Sequence, residues 1–351
     1  MISRDEYLKM PLKDRFIKLD KDQDARAEGL HKNSLVIDLH THVLEEDFVE
    51  NVPRIQRSQV DGLFEAVAAV DEDFAQSMDR LGLFIKEVEK HPDFMPAFCA
   101  QDFVEAKKKG KQAIMFQLEP QSFARNLDRV AIAYGLGIRM ALLTFNTRTY
   151  VGDGCGERTN GGLSYLGLEL VERMNELGML IDLSHCGIQT TLDAIEASKD
   201  PVLCNHTGAR VLYPQCKRLK TDEELKAIAA KGGIVGISAI PNQLSGNAEQ
   251  GIQDMLNHID YIVNLIGVDH IAIGLDNVFG DHVEYHRQAA QTTFKLALIG
   301  QELNAPYMYG IESPEEWPNI TRGLVSRGYS DDGIKKIIGG NALRIIQEVV
   351  G

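Results

Sequence analysis

Residues 35 to 42 read LVIDLHTH, an apolar-rich run that ends abruptly in two histidines two positions apart. Leu35, Val36 and Ile37 have the character of a strand buried on both faces, and along a strand residues i and i+2 point to the same side. His40 and His42 therefore leave the strand end together. Two imidazoles so placed can bind one metal ion, or they can be a hydrogen-bonded pair at a strand terminus, and this stretch alone leaves both readings open.

The rest of the chain sets the bounds. Its 351 residues suit a single α/β barrel with insertions as well as two smaller domains. With 44% hydrophobic and 25% charged residues it has the composition of an ordinary globular protein. A formal net charge of -14 disfavours phosphate backbones and anionic membrane surfaces, so neither nucleic acid nor membrane is an expected partner. The N-terminal residues MISRDEYLKMPLKDRFIKLDKD carry charges throughout and contain no apolar run of signal or membrane-span length. Five cysteines, Cys99, Cys155, Cys186, Cys204 and Cys216, lack zinc-ribbon spacing, and reduced thiols in a cytoplasmic protein are expected.

Residues 1–33 read as a polar helical lead-in, with Leu8, Leu12, Phe16 and Leu19 on one face, packed outside a single domain over 34–351. A polar loop runs through Pro53. Leu63 to Val70 is strand or helix by periodicity and is taken as the second strand. Strands follow at Gln112–Leu118, Ile138–Leu143, Met179–Leu183, Val202–Asn205, Ile234–Ser238 and His270–Gly274. Helices alternate with them at Asp71–Glu89, Gln101–Lys109, Tyr165–Leu177, Gln189–Ala197 and Gly251–Ile266. Another opens at Thr221, where Glu224 completes a capping box. The loop from Asn146 to Gly162 is long enough to imply a task. Eight strands in this alternation predict an α/β fold, a (β/α)8 TIM barrel; the competing architecture is a doubly wound open sheet, which usually carries a Gly-rich phosphate turn that is missing from this sequence.

Barrel enzymes place reactive groups at the carboxyl ends of their strands. Ionisable residues there are His40 and His42 after the first strand, Glu119 after the third, His185 after the fifth, His206 after the sixth and Asp276 after the eighth. Each alone has a structural explanation as a cap or turn. Together they converge on one rim. Four histidines and a carboxylate exceed what one open tetrahedral zinc takes, so two ions fit better, one held by His40, His42 and Glu119 and the other by His185, His206 and the same Glu119. Nitrogen-rich ligation suits zinc, and manganese, iron and cobalt accept the same donors. Water between two such ions ionises at neutral pH, which leaves Asp276 as general base and acid. His282 and His286, four apart, share a helix face expected to be solvated. His31, His91, His258 and His270 read as structural or peripheral.

At these residues the chain resembles the renal, or membrane, dipeptidase family of the metal-dependent amidohydrolase barrels. The resemblance is carried by NGGLSYLGLELVERMNELGMLIDLSHCG (Asn160 to Gly187), NHTGARVL (Asn205 to Leu212), IAAKGGIVGI (Ile228 to Ile237), HIAIGLDN (His270 to Asn277) and the closing segment from Trp317 to Ile346, where Asn341 matches a recurring asparagine. It implies His185 and His206 as ligands of one zinc, Glu119 as the bridge, His40 on the other zinc and Asp276 as the catalytic acid.

Three departures stand out. His40-Thr41-His42 replaces the His-x-Asp of the family's best-known members, Phe145 stands where mammalian members carry a histidine that binds the scissile carbonyl, and the carboxylate-gripping arginine is matched, with a shift of about one residue, by Arg218. The loop Gly152–Gly162 looks like a bacterial branch, and its Cys155 reads as reduced and idle. The implied function is hydrolysis of dipeptides by metal-hydroxide attack on the scissile amide, with two zinc ions per chain, Arg218 and Phe145 against the substrate, and a homodimer compatible with the resemblance. Phe145 motivates an alternative, an amidohydrolase acting on another small amide, an N-acyl amino acid, a lactone or a tailored metabolite. A metal-holding scaffold without turnover is the alternative from another class.

Overall fold

In the computed structural model, which describes residues 2–44, 48–67, 72–118, 126–290 and 296–351, the apolar runs form eight parallel strands. They are β1 (Ile37–Thr41), β2 (Gly62–Ala66), β3 (Gln112–Leu118), β4 (Ile138–Leu142), β5 (Leu180–Asp182), β6 (Leu203–Thr207), β7 (Ile234–Ile237) and β8 (Ile271–Ile273). Neighbours in this order are hydrogen-bonded. The ring closes between β8 and β1 where Asp276 N–H donates to the His40 carbonyl at 2.9 Å and Thr41 bridges Asn277. An open doubly wound sheet is thereby excluded, and the chain is a (β/α)8 barrel.

Alternation along the strands sorts side chains into two cores. Ile37, Leu39, Phe64, Met115, Met140, Leu180 and Leu203 fill the barrel together with Ile345 and Ile346 of the helix Asn341–Val349. Their neighbours Ile114, Phe116, Ile181 and Val235 join the larger cluster shared with the outer helices. Both faces are therefore buried, as near-continuous apolar strands require.

Several elements differ from expectation. The polar loop before Pro53 contains a helix, Phe48–Arg57, whose Phe48, Val52 and Ile55 are buried at helical spacing; the proline, which suggests a break, is accommodated within it. A short strand, Phe94–Pro96, too brief to show periodicity, pairs with the start of β3. β2 is described through Ala66, and residues 68–70 of its expected span lie outside the described residues. β6 runs on to Thr207, so His206 belongs to the strand itself. The lead-in is three helices, Arg4–Lys9, Leu12–Arg15 and Lys21–Asn33. Its buried residues are not the expected leucine stripe but Tyr7, Arg15, Ala27, Leu30 and His31: the Tyr7 hydroxyl bonds Glu316 and accepts from Gly310 N–H, and Arg15 lies 3.5 Å from Glu316.

Candidate metal centre

Two strand irregularities aim the histidines. The β1–β2 register shifts between Asp38 and Thr41, and the β6–β7 register shifts between Cys204 and Thr207, so His40 and His206 both lie in irregular segments. A bulge re-aims side chains in this way. Gly236 and Gly274 make room beside β6, because a Cβ on either would fall about 2 Å from the Asn205 carbonyl oxygen. The result is two imidazole pairs. His40 and His42 bring their Nε2 atoms to 3.2 Å, and His185 and His206 bring theirs to 3.1 Å. The His40 and His206 rings, 4.0 Å apart between centroids, join the pairs into one group.

The outer ring nitrogens show what the inner ones offer. His185 Nδ1 faces Asn146 Oδ1 at 2.8 Å, and His206 Nδ1 faces Asn205 Oδ1. An amide oxygen only accepts, so each Nδ1 carries the proton and each Nε2 presents a lone pair. Two bare acceptors 3.1 Å apart repel unless a proton or a cation lies between them. Zinc bound tetrahedrally at about 2.0–2.1 Å separates two ligand nitrogens by about 3.3 Å, which both pairs match. His40 differs: its Nδ1 accepts from the side-chain N–H groups of Gln117 at 2.8 Å and Asn205 at 2.9 Å, so in this ion-free arrangement its Nε2 carries the proton and donates across to His42. Burial drives the His40 pKa down to about 3, and drives those of His185 and His206 well below the ordinary value, so the rings are neutral at pH 7.

Asp276 sits between the pairs. Its backbone is left-handed, with φ 57°, a conformation that Asp tolerates better than most residues. Oδ1 lies 3.3 Å from His42 Nε2 and 3.5 Å from His40 Nε2, and Oδ2 lies 3.5 Å from His206 Nε2. His40, His42 and Asp276 bring one ligand atom each within 4.8 Å of one another. Burial pushes the Asp276 carboxyl upward, but His40 and His42 beside it outweigh that and hold it well below the usual carboxylate range. An ionised carboxylate so placed can ligate a cation or exchange a proton.

Beneath the rim lies a layer of support that the sequence reading missed. Asp38 accepts from His40 N–H, Leu275 N–H and Trp317 Nε1–H; Asp182 accepts from the N–H groups of Ser184 and Asn205; Glu65 accepts from Val43 and Leu44 N–H. Burial pushes their pKa values up to about 7, 6 and 8 respectively. A signal was present: the triplet Ile-Asp-Leu occurs at 37–39 and again at 181–183, in each case placing a charge inside a buried strand just before a histidine. Asn146, at the start of the long loop, supplies that loop's task by fixing His185.

The remaining site residues fall as follows. Glu119, the expected shared carboxylate, lies outside the described residues. Phe145 is buried and stacks on His185, with centroids 4.1 Å apart and planes at 22°. Arg218 is 1% exposed and donates to the carbonyls of Ser184 and, at 2.9 Å, His206, tying together the two strand ends that carry His185 and His206. Cys155 is a free thiol whose pKa burial raises. His282 and His286 are a correction: they are buried, at 6% and 7% exposure, because the helix His282–Ala289 turns this face inward.

The sequence pattern of "Membrane dipeptidase (Peptidase family M19)" matches residues 15–286. The chain belongs to the membrane dipeptidase family. Among curated proteins, it is 28% identical over 278 residues to dipeptidase tcpJ of Claviceps purpurea (strain 20.1), covering 78% of this chain and 60% of that protein. It is 29% identical over 218 residues to dipeptidase aclJ of Aspergillus oryzae (strain ATCC 42149 / RIB 40), covering 61% and 46% respectively. The chain thus spans roughly half of the length of these relatives. Among solved structures, an amidohydrolase from Pseudomonas aeruginosa superposes with TM-score 0.83 at 29% identity, over 93% of this chain and 99% of that one. A metallopeptidase from Rhodobacter sphaeroides, liganded with a phosphinate mimic of the dipeptide L-Ala-D-Ala, shares the fold with TM-score 0.73 at 19% identity, over 90% and 100%.

Proposed function

We propose that this chain is a zinc-dependent dipeptidase with two zinc ions per chain. The observation that carries the reading is the pairing of four Nε2 atoms at 3.1–3.2 Å around one carboxylate at the strand ends. In this reading His40, His42 and Glu119 hold one ion, and His185, His206 and Glu119 hold the other. Zinc in such a centre supplies Lewis acidity and brings the ionisation of water down to about pH 7. Asp276, ionised at neutral pH, takes the proton released by the attacking water and returns it to the departing amine. Arg218, buried behind the strand ends that carry His185 and His206, would bias that side of the site toward the free carboxylate of a short peptide through its charge and not by direct grip. Five unpaired cysteines support a reducing compartment, the cytoplasm. Among the described residues no helix is long and apolar enough to cross a membrane.

Phe145 favours a second reading, turnover of a different small amide, an N-acyl amino acid or a lactone, because its ring stacks on His185 and offers no hydrogen bond to a carbonyl. A panel of dipeptides, N-acyl amino acids and lactones, run on the zinc-loaded chain and on Phe145→His, separates the two. The dipeptidase reading expects dipeptides to be the best substrates and Phe145→His to raise their turnover, toward the roughly hundred- to thousandfold that one oxyanion donor contributes. Efficient lactone hydrolysis by the unaltered chain, with dipeptide turnover lowered by Phe145→His, replaces it with the second reading.

A further inference from the structure

The centre described above accounts for four of the ten histidines. Two others form a third pair of the same design. His282 and His286 lie four apart on the helix His282–Ala289, the spacing that puts two side chains one above the other on one face. Their Nε2 atoms are 3.2 Å apart, the separation found within His40–His42 and His185–His206, with ring planes at 81°. Both rings are buried. Both also feel the Asp276 carboxylate and the His42 ring electrostatically, which sets them beside the same rim.

We propose that His282 and His286 form a further binding site for a divalent cation of the zinc type, separate from the centre built on the four strand-end histidines. Two neutral imidazoles on one turn of helix are a ready half of a tetrahedral shell. The acids of the same helix are engaged elsewhere: Asp281 caps the helix by accepting from Glu284 N–H, and Glu284 accepts from Arg287 and Gln288. Water or an anionic oxygen of a substrate therefore completes the shell, and the ion is exchangeable and held more weakly than those of the main centre. The ion-free arrangement of the pair is an N–H···N hydrogen bond, one ring donating to the other. A cation takes both Nε2 lone pairs once the donating ring has shifted its proton to Nδ1, a change of tautomer with no net loss of a proton. The coupling to Asp276 sets an exchangeable Lewis acid near the main centre, and an anionic oxygen donor is the ligand class it would take.

The inference does not depend on the ion count of the main centre, and its test is arranged to keep the two apart. Zinc content is measured by elemental analysis after equilibrium dialysis against zinc alone, for the unaltered chain, His282→Ala, His286→Gln, His185→Ala and the double variant His185→Ala/His286→Gln. The expected result is a loss of one equivalent in His282→Ala and in His286→Gln, with a further loss in the double variant. Unchanged content in both single variants overturns the proposal, as does a double variant that loses no more than His185→Ala, which would make the pair part of the main centre. Loss in His286→Gln with none in His185→Ala sustains this site while removing the main-centre reading. Should the variants fail to fold, anomalous diffraction from zinc-soaked crystals of the unaltered chain decides: a zinc peak between the two Nε2 atoms supports the site, and its absence overturns it.

Discussion

Asp276 concentrates the argument at the scale of one residue. It follows the end of β8 by three residues in a left-handed conformation and reaches toward His40, His42 and His206 at once. Asp276→Asn keeps the shape and tolerates the same backbone, but it removes the group that accepts and returns a proton. Turnover should fall by at least about a hundredfold, the lower end of a general acid and base contribution, with zinc content intact. Glu119→Gln is the control and should lower both zinc content and rate. Loss of zinc from Asp276→Asn would show a ligand instead of a proton carrier. That His40, His42, His185, His206 and Asp276 come together was legible in the sequence because all follow apolar strands whose carboxyl ends share one rim, while their roles remain the proposal made above. Asn146, Asn205 and Gln117 were not, since an amide that fixes a tautomer looks like any other polar residue until its partner is known. His282 and His286 were misjudged for a related reason: spacing shows that two residues share a helix face, not which way that face turns.

The strands were legible through their apolar runs, and the capping box at Thr221 and Glu224 through its spacing, which the structure reproduces. The two register shifts were not legible, because a bulge leaves no mark in composition. The helix Ile252–Ile266 shows how a neighbouring element holds the site: its buried His258 accepts from Ala209 N–H at Nδ1 and donates from Nε2 to the Leu244 carbonyl, bracing the segment that follows His206. Burial lowers the His258 pKa to about 4. A histidine with a folded-state pKa below its unfolded value of about 6.5 gives stability that is complete above that value and is lost as pH falls toward about 4. Between about pH 7.5 and about pH 4.5 this amounts to roughly 2.5 kcal/mol for one histidine. Denaturant unfolding of the unaltered chain and of His258→Gln, which retains a donor and an acceptor, should differ in acid sensitivity by that order. Equal loss of stability in both chains over this interval would remove the assigned role.

For the molecule as a whole, the barrel is what turns distant segments into one centre. Residues 40 and 276 are far apart in sequence, yet they meet because the last strand closes on the first through the Asp276 N–H and the His40 carbonyl. The order of eight strands was legible from alternation, whereas the anchoring of the lead-in through Tyr7, Arg15 and Glu316 was not, because buried polar anchors run against the apolar pattern from which packing is read. In the proposed reading the chemistry rests on the zinc centre, which makes zinc dependence the decisive property. The most direct measurement is a zinc titration of chelator-stripped protein while hydrolysis of a dipeptide is followed. The account predicts no hydrolysis in the stripped chain and full activity as about two equivalents bind, before the weaker His282–His286 site fills. Dipeptide hydrolysis that survives removal of metal, or a zinc-loaded chain that hydrolyses no dipeptide, would contradict it.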